Sequence, residues 1–220
     1  MVAHHPSSDL LMSYGAGALG ESWSLALATH LSLCPACRSG VEAVEDIGGI
    51  LLESFEPNQM PETALSLVME NLDMVANDYQ GASLPPKTFV LPQPLRDYVG
   101  SDVDAIQWKS IGGGVGHVNV KAGDNGHVHL LKIPPGSPVP EHGHNGRELT
   151  LVLTGSFEDK LGTFNRGDLQ DVGEETIHRP VAGEKEDCIC LVVTDAPLKF
   201  RGLLPKLAQP FIRRLLNVTL

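Results

Sequence analysis

The chain has 220 residues, with 27 acidic against 16 basic side chains and a net charge of −11, long enough for one large or two small cored domains. That charge excludes nucleic-acid binding through a basic surface as its main interaction. No apolar run reaches the roughly 20 residues that cross a bilayer. Four cysteines in two close pairs, with no signal peptide before them, point to the reducing cytoplasm and to metal ligation in preference to disulfide bonding.

The charge is unevenly placed. Before Pro85 eleven acids face the single base Arg38, and the remainder is close to neutral, with 16 acids and 15 bases. An acidic N-terminal segment suits a basic protein partner, and equally a solvated helical surface. After Asp195 the chain carries Lys199, Arg201, Lys206, Arg213 and Arg214 without an acid, a basic tail over 201–220.

Four helices are predicted in the first 80 residues. Ser7-Ser8-Asp9 offers capping groups ahead of Leu10, Leu11 and Tyr14. Gly20-Glu21-Ser22 closes that helix and opens a second, carrying Trp23, Leu27 and Leu31. A third follows Pro35 with Val41, Val44, Ile47, Leu51 and Phe55 on one face, weakened by roughly 1 kcal/mol at each of Gly48 and Gly49. Pro61 opens a fourth, with Leu65, Val68, Leu72 and Val75 aligned. Helices this short bury little, so a metal cross-link has a stabilising task.

The residues for such a link are His30-Leu-Ser-Leu-Cys34-Pro-Ala-Cys37. Positions four apart share a helix face, and the turn opened by Pro35 brings Cys37 to the same point. Thiolate and imidazole are the donors zinc prefers, and a fourth ligand would close a structural site. Only His4 and His5 precede His30; His5, directly before Pro6 and the first helix, is the expected fourth ligand.

Residues 81–98 hold four prolines with little periodicity and read as a linker. Beyond it short strands are predicted at 105–111, 117–122, 127–133, 149–154 and 188–194, the pattern of a sandwich or barrel over residues 99–200. Within this half stands Gly136-x5-His142-x-His144-x3-Glu148-x6-Gly155, followed by Gly167-Asp168 and His178. On extended chain His142, His144 and Glu148 point to one side. Three imidazoles and a carboxylate can hold zinc, manganese, iron or nickel.

The second pattern resembles the cupins, small β-barrels with an internal metal. The first cupin motif is matched at every defined position; in the second, Gly173, Glu175 and Ala182 depart from the usual residues while Gly167 and His178 keep their spacing. The first pattern is similar to the zinc-binding anti-sigma domain. A helical zinc domain followed by a cupin resembles the ChrR-type anti-sigma factors, a resemblance that takes in Asp97-Tyr98-Val99-Gly100, Asp187-Cys188-Ile189-Cys190 and Leu204-Pro205-Lys206. It implies a four-helix zinc-binding anti-sigma domain and a C-terminal cupin barrel. It implies a cytoplasmic, non-enzymatic regulator that holds an extracytoplasmic-function sigma factor and releases it under photooxidative stress, typically singlet oxygen. The cupin would then be the sensory module, and neither nucleic acid nor membrane is an expected direct partner. Sigma factors are basic on their DNA-facing sides, so an acidic mate gains on-rate and specificity.

Other readings stay open. A mononuclear cupin enzyme, a dioxygenase or isomerase with an accessory helical domain, could use the same ligands. A thioredoxin-like Cys34–Cys37 pair would need a preceding strand. Cys188 and Cys190 share a strand face, as buried core thiols or as a redox pair whose disulfide would be strained. His117, His127 and His129 are read as barrel or surface residues, and Trp23 and Trp108 as core.

Overall fold

A computed structural model of the protein describes residues 2–76, 89–123, 126–196 and 199–200. The prolines of 81–88 and the basic tail at 201–220 lie outside the described residues. Helices α1 (Ser8–Gly15), α2 (Glu21–Leu33), α3 (Pro35–Glu53) and α4 (Ala64–Ala76) stand where the periodicity places them. A fifth, α5 (Gln93–Val99), lies inside the stretch read as linker. Pro94 occupies its first turn, where a missing N–H costs nothing, and Leu95 fastens it to the core.

The remaining chain is antiparallel β. Strands β1 (Lys109–Ser110), β2 (Gly116–Val120), β3 (His127–Ile133), β5 (Glu148–Thr154), β8 (Leu169–Val172) and β11 (Cys188–Thr194) form one sheet in the order β1-β2-β3-β11-β5-β8. Two small sheets complete the barrel: β10 (Val181–Ala182), β6 (Ser156–Asp159) and β7 (Gly162–Asn165), and then β12 (Lys199–Phe200), β4 (His142–Gly143) and β9 (Ile177–His178). The long strands β3 and β11 match their predicted bounds. The six two- to four-residue strands between β4 and β10 other than β5 were not predicted, being too short and too polar to show alternation.

The central strands are buried on both faces. Along β5 and β11, Leu149, Leu151, Leu153, Ile189, Leu191 and Val193 join one apolar cluster, whereas Val152, Cys188, Cys190 and Val192 join another. Successive side chains on a strand point to opposite faces, so the first cluster lies outside the barrel and the second inside it. Leu10, Leu25, Ala26, Leu27 and Leu95 belong to the outer cluster. Helices α1, α2 and α5 therefore cover the sheet, each fully buried leucine contributing about 2 kcal/mol.

Polar ties reinforce this packing. The buried Ser22 hydroxyl donates to the carbonyls of Ala122 and Gly126 in the β2–β3 turn. Arg147 clamps Asp171 with two bonds of 2.8 and 2.6 Å and reaches Ser7 at 2.9 Å, joining the start of α1 to β8. At the end of β5, Gly155 has φ +64° and a Cβ there would come within 2.7 Å of the Asp187 carbonyl, so only glycine fits the turn that brings β6 back.

Candidate metal centres

The first centre joins three pieces of chain. Near the C-terminus of α2 stands His30; Cys34 is the N-cap of α3, with Pro35 at its first position, and Cys37 follows in its first turn. His5 arrives from the extended segment before α1, its Nδ1 3.2 Å from the Cys37 Sγ and 3.4 Å from the Cys34 Sγ. One ligand atom from each of the four residues lies within 4.8 Å of the others; His30, Cys34 and Cys37 are buried and His5 is exposed. His4 sits elsewhere, its ring on Phe164 with centroids 4.2 Å apart.

The His30 ring is oriented from outside the helices. Its Nδ1 donates to the Gly167 carbonyl at 2.9 Å, so the proton is on that nitrogen, and Nε2 is buried without a hydrogen-bond partner. Burial pushes the imidazole down to about 4, the Gly167 bond opposing, which leaves it neutral. Burial, then the neighbouring Cys34, pushes the Cys37 thiol up to about 12. A cation reverses that preference by stabilising thiolates. Metal–sulfur and metal–nitrogen bonds of about 2.3 and 2.1 Å in a tetrahedron set neighbouring S and N donors roughly 3.6 Å apart, close to the separations found. The donor set fits a bound metal.

The second centre is inside the barrel. β4 and β9 pair with His142 directly opposite His178, and Glu148 opens β5. His142 Nδ1 donates to the Pro140 carbonyl at 2.8 Å and His178 Nδ1 to Asp159 at 2.7 Å. Both rings therefore turn bare Nε2 atoms towards each other at 3.0 Å, and His144 Nε2 lies 3.2 Å from that of His178. Lone pairs converging in this way repel unless a cation lies between them, and metal-bound nitrogens in octahedral or tetrahedral geometry stand roughly 3.0 to 3.4 Å apart. His142, His144, Glu148 and His178 are all buried. His142, Glu148 and His178 line a small, mainly apolar cavity that includes Leu131, Val139, Phe157 and Cys190.

Burial pushes the Glu148 carboxyl up to about 7, with the Thr150 hydroxyl pulling the other way, and burial takes His142 and His144 down to about 4. A carboxyl with a raised folded value stabilises the metal-free fold below the ordinary carboxylate range, an effect lost as pH rises through about 7. A bound cation holds the anion instead. Metal uptake should therefore displace the Glu148 proton below pH 7, raising apparent affinity by about tenfold per pH unit between 5 and 7 and levelling above. Chelator competition at three pH values measures this; a flat profile through pH 7 contradicts it.

The comparisons with known proteins bear on both halves. Residues 97–197 match the ChrR cupin-like domain family. The anti-sigma-E factor ChrR of Cereibacter sphaeroides is 44% identical over 213 residues, covering 96% of this chain and 99% of that protein. The chain belongs to the ChrR family. A chain in the crystal structure of Rhodobacter sphaeroides SigE in complex with the anti-sigma ChrR matches with 41% identity and a TM-score of 0.75, covering 89% of this chain and all of that one.

The contacts that support the two centres of this ChrR-family chain were not legible in its sequence, whereas the burial of Cys188 and Cys190 was. Gly167 orients His30, Asp168 holds the N-terminal segment, and Asp159 orients His178; no local motif marks contacts between residues so far apart. Cys188 and Cys190 are free thiols with Sγ atoms 3.5 Å apart, buried in the inner cluster. The hydrogen bond with Cys188, then burial, raises the Cys190 thiol well above its ordinary value, which disfavours thiolate chemistry in this state. His117 and His129 are buried, with Nε2 and Nδ1 3.0 Å apart. No helix among the described residues is long and apolar enough to cross a membrane.

Proposed function

We propose that this chain is an anti-sigma factor whose helical half masks an extracytoplasmic-function sigma factor and whose cupin governs release. The observation that carries the reading is an apolar surface in the chain's acidic segment that none of the described residues covers. Ile47, Ile50, Leu51 and Leu52 on α3 and Phe55 just beyond its C-cap are all more than half exposed, as are Leu65, Val68 and Leu72 on α4. The periodicity aligns Ile47, Leu51 and Phe55 on one face and Leu65, Val68 and Leu72 on another, yet α3 buries only Cys37 and Val41. Apolar faces of this extent mark protein interaction sites. Glu42, Glu45, Asp46, Glu53 and Glu70 on the same two helices complement a basic partner. A relative covering nearly the whole chain is an anti-sigma factor by name. Masking is a binding function and needs no catalysis.

In this reading zinc occupies His5, His30, Cys34 and Cys37, a donor set typical of closed structural sites. It fastens α3, and with it the binding surface, to α2. His142, His144, Glu148 and His178 hold zinc or another divalent metal such as manganese, iron or nickel. The cupin acts as the sensory module, and photooxidative stress, with singlet oxygen as its agent, is the signal the family resemblance suggests. Domain bounds of 1–80 for the helical half and 99–200 for the cupin belong to the same proposal.

Co-expression with a sigma factor from the same genome tests the function, since a sigma factor that transcribes equally well with and without this protein would overturn it. The sensory role has its own test. Alanine at His142, His144, Glu148 or His178 removes a ligand inside the barrel without touching the exposed faces of α3 and α4. Each variant should inhibit within about twofold of the unsubstituted chain yet give a blunted reporter response to a photosensitiser and light. A full response from all four would remove the cupin metal from the mechanism.

A further inference from the structure

The segment that brings His5 to the first centre is not held by the helices alone. Ala3 and His4 donate their backbone N–H groups to one carboxylate oxygen of Asp168, at 2.6 and 3.0 Å, while Asn165 N–H donates to the other at 2.8 Å. The His4 carbonyl in turn accepts from Leu169 N–H at 3.1 Å. Asp168 is 1% exposed, so these bonds are made out of water, where a carboxylate needs all of them. The preceding residue orients a second ligand, since the Gly167 carbonyl receives His30 Nδ1–H. Gly167 has φ +93°, and a Cβ there would meet the Val2 side chain at 2.8 Å and Leu33 at 3.6 Å. Only glycine adopts this backbone readily and admits the N-terminal segment and the end of α2 so close.

Two residues further on, the same stretch reaches the other centre. Gln170 Nε2 donates at 3.0 Å to the Asp159 oxygen that also receives His178 Nδ1–H. Residues 167–170 thus touch the partners of ligands in both metal sites.

We propose that the cupin segment Gly167–Gln170, the turn before β8 and the start of that strand, builds the His–Cys metal site of the helical half from outside, with Asp168 as its positioning residue, and so couples that site to the cupin metal. The inference rests on reading His5, His30, Cys34 and Cys37 as metal ligands. Groups that orient ligands change metal affinity by about 10- to 100-fold when removed. A terminal segment without such ties is free to leave. Coupling between two binding events is reciprocal, so a cupin metal that shifts this segment changes the affinity of the His–Cys site by the same factor as the reverse.

The test uses the full chain loaded with cobalt(II), whose sulfur-to-metal charge-transfer band reports the cysteine site and not the sulfur-free cupin site. Titrating with a chelator while following that band gives the affinity. Asp168→Ala should weaken it by about 10- to 100-fold, keep the sulfur band and shift the ligand-field bands as His5 withdraws. Asp168→Asn, which retains an oxygen for Ala3 and His4, should restore most of the loss. Ala3→Pro deletes one of the donors from the far side without altering the cupin, and should cost at least about threefold on the same grounds; it decides the matter if Asp168→Ala does not fold. Unchanged affinity in a folded Asp168→Ala, or in Ala3→Pro where Asp168→Ala does not fold, overturns the proposal. Absence of any sulfur band in the unsubstituted chain overturns instead the reading of the four residues as a metal site.

Discussion

Replacing Cys34 or Cys37 by serine is expected to strip the metal from the helical half, unfasten α3 and abolish inhibition together. The 19 residues of α3 bury only Cys37 and Val41, so packing gives this helix little reason to stay. A closed site of this type contributes on the order of 10 kcal/mol to folding, comparable with the whole stability of a small domain. Serine cannot replace a thiolate donor, and in Cys34→Ser the remaining Cys37 thiol stays in surroundings whose burial pushes its titration up. Metal analysis, far-ultraviolet circular dichroism and reporter transcription should move in concert. The loss of helix should fall on α3 and α4, because Leu25, Ala26 and Leu27 of α2 are anchored on the sheet. Retained metal and full inhibition in both variants would refute the expectation.

The double substitution Leu51→Glu, Phe55→Glu should have the opposite profile: binding is lost while the fold is kept. Leu51 is 59% and Phe55 71% exposed, so neither carries core energy and the melting midpoint should move by no more than a few degrees. At an interface each would be a buried apolar anchor worth about 2 kcal/mol, or roughly 30-fold in affinity. Two carboxylates added to an already acidic face would also stand unpaired against the partner's apolar groups. Sigma-factor binding weaker by at least about 100-fold is expected, measured by calorimetry on the metal-loaded protein. Unchanged affinity would move the masking surface away from the end of α3.

The candidate donor clusters were legible in the sequence because a metal site needs several donors at one point, and chain geometry converts that need into short fixed spacings. His30, Cys34 and Cys37 fall within eight residues, as do His142, His144 and Glu148 within seven. The structure brings His5 and His178 to them across long separations, as the motifs imply. The supporting residues follow no such rule. Gly167 meets His30 over 137 positions and Asp168 meets His4 over 164, and each is one acceptor among many in the chain until folding selects it. The periodicity located α3 and α4 but not their surroundings, since an apolar stripe reads alike whether it faces a core or a partner. The strand pattern found β3 and β11, the latter buried on both faces, and missed β4 and β9, two-residue strands too short to show alternation.

One apolar cluster containing leucines of α1, α2 and α5 together with those of β5 and β11 bears on how the molecule opens. Opening free energy follows buried contact and not the names given to parts of a chain. The backbone amides of α2 should therefore exchange with solvent at the pace of the central sheet, although helix and barrel belong to different kinds of architecture. Beyond Val41 the turns of α3 have no comparable anchor and can fray on their own. The line between the slow and the fast parts then runs through the middle of a single helix, so a partner that grips its far end can order that surface without disturbing the barrel beneath.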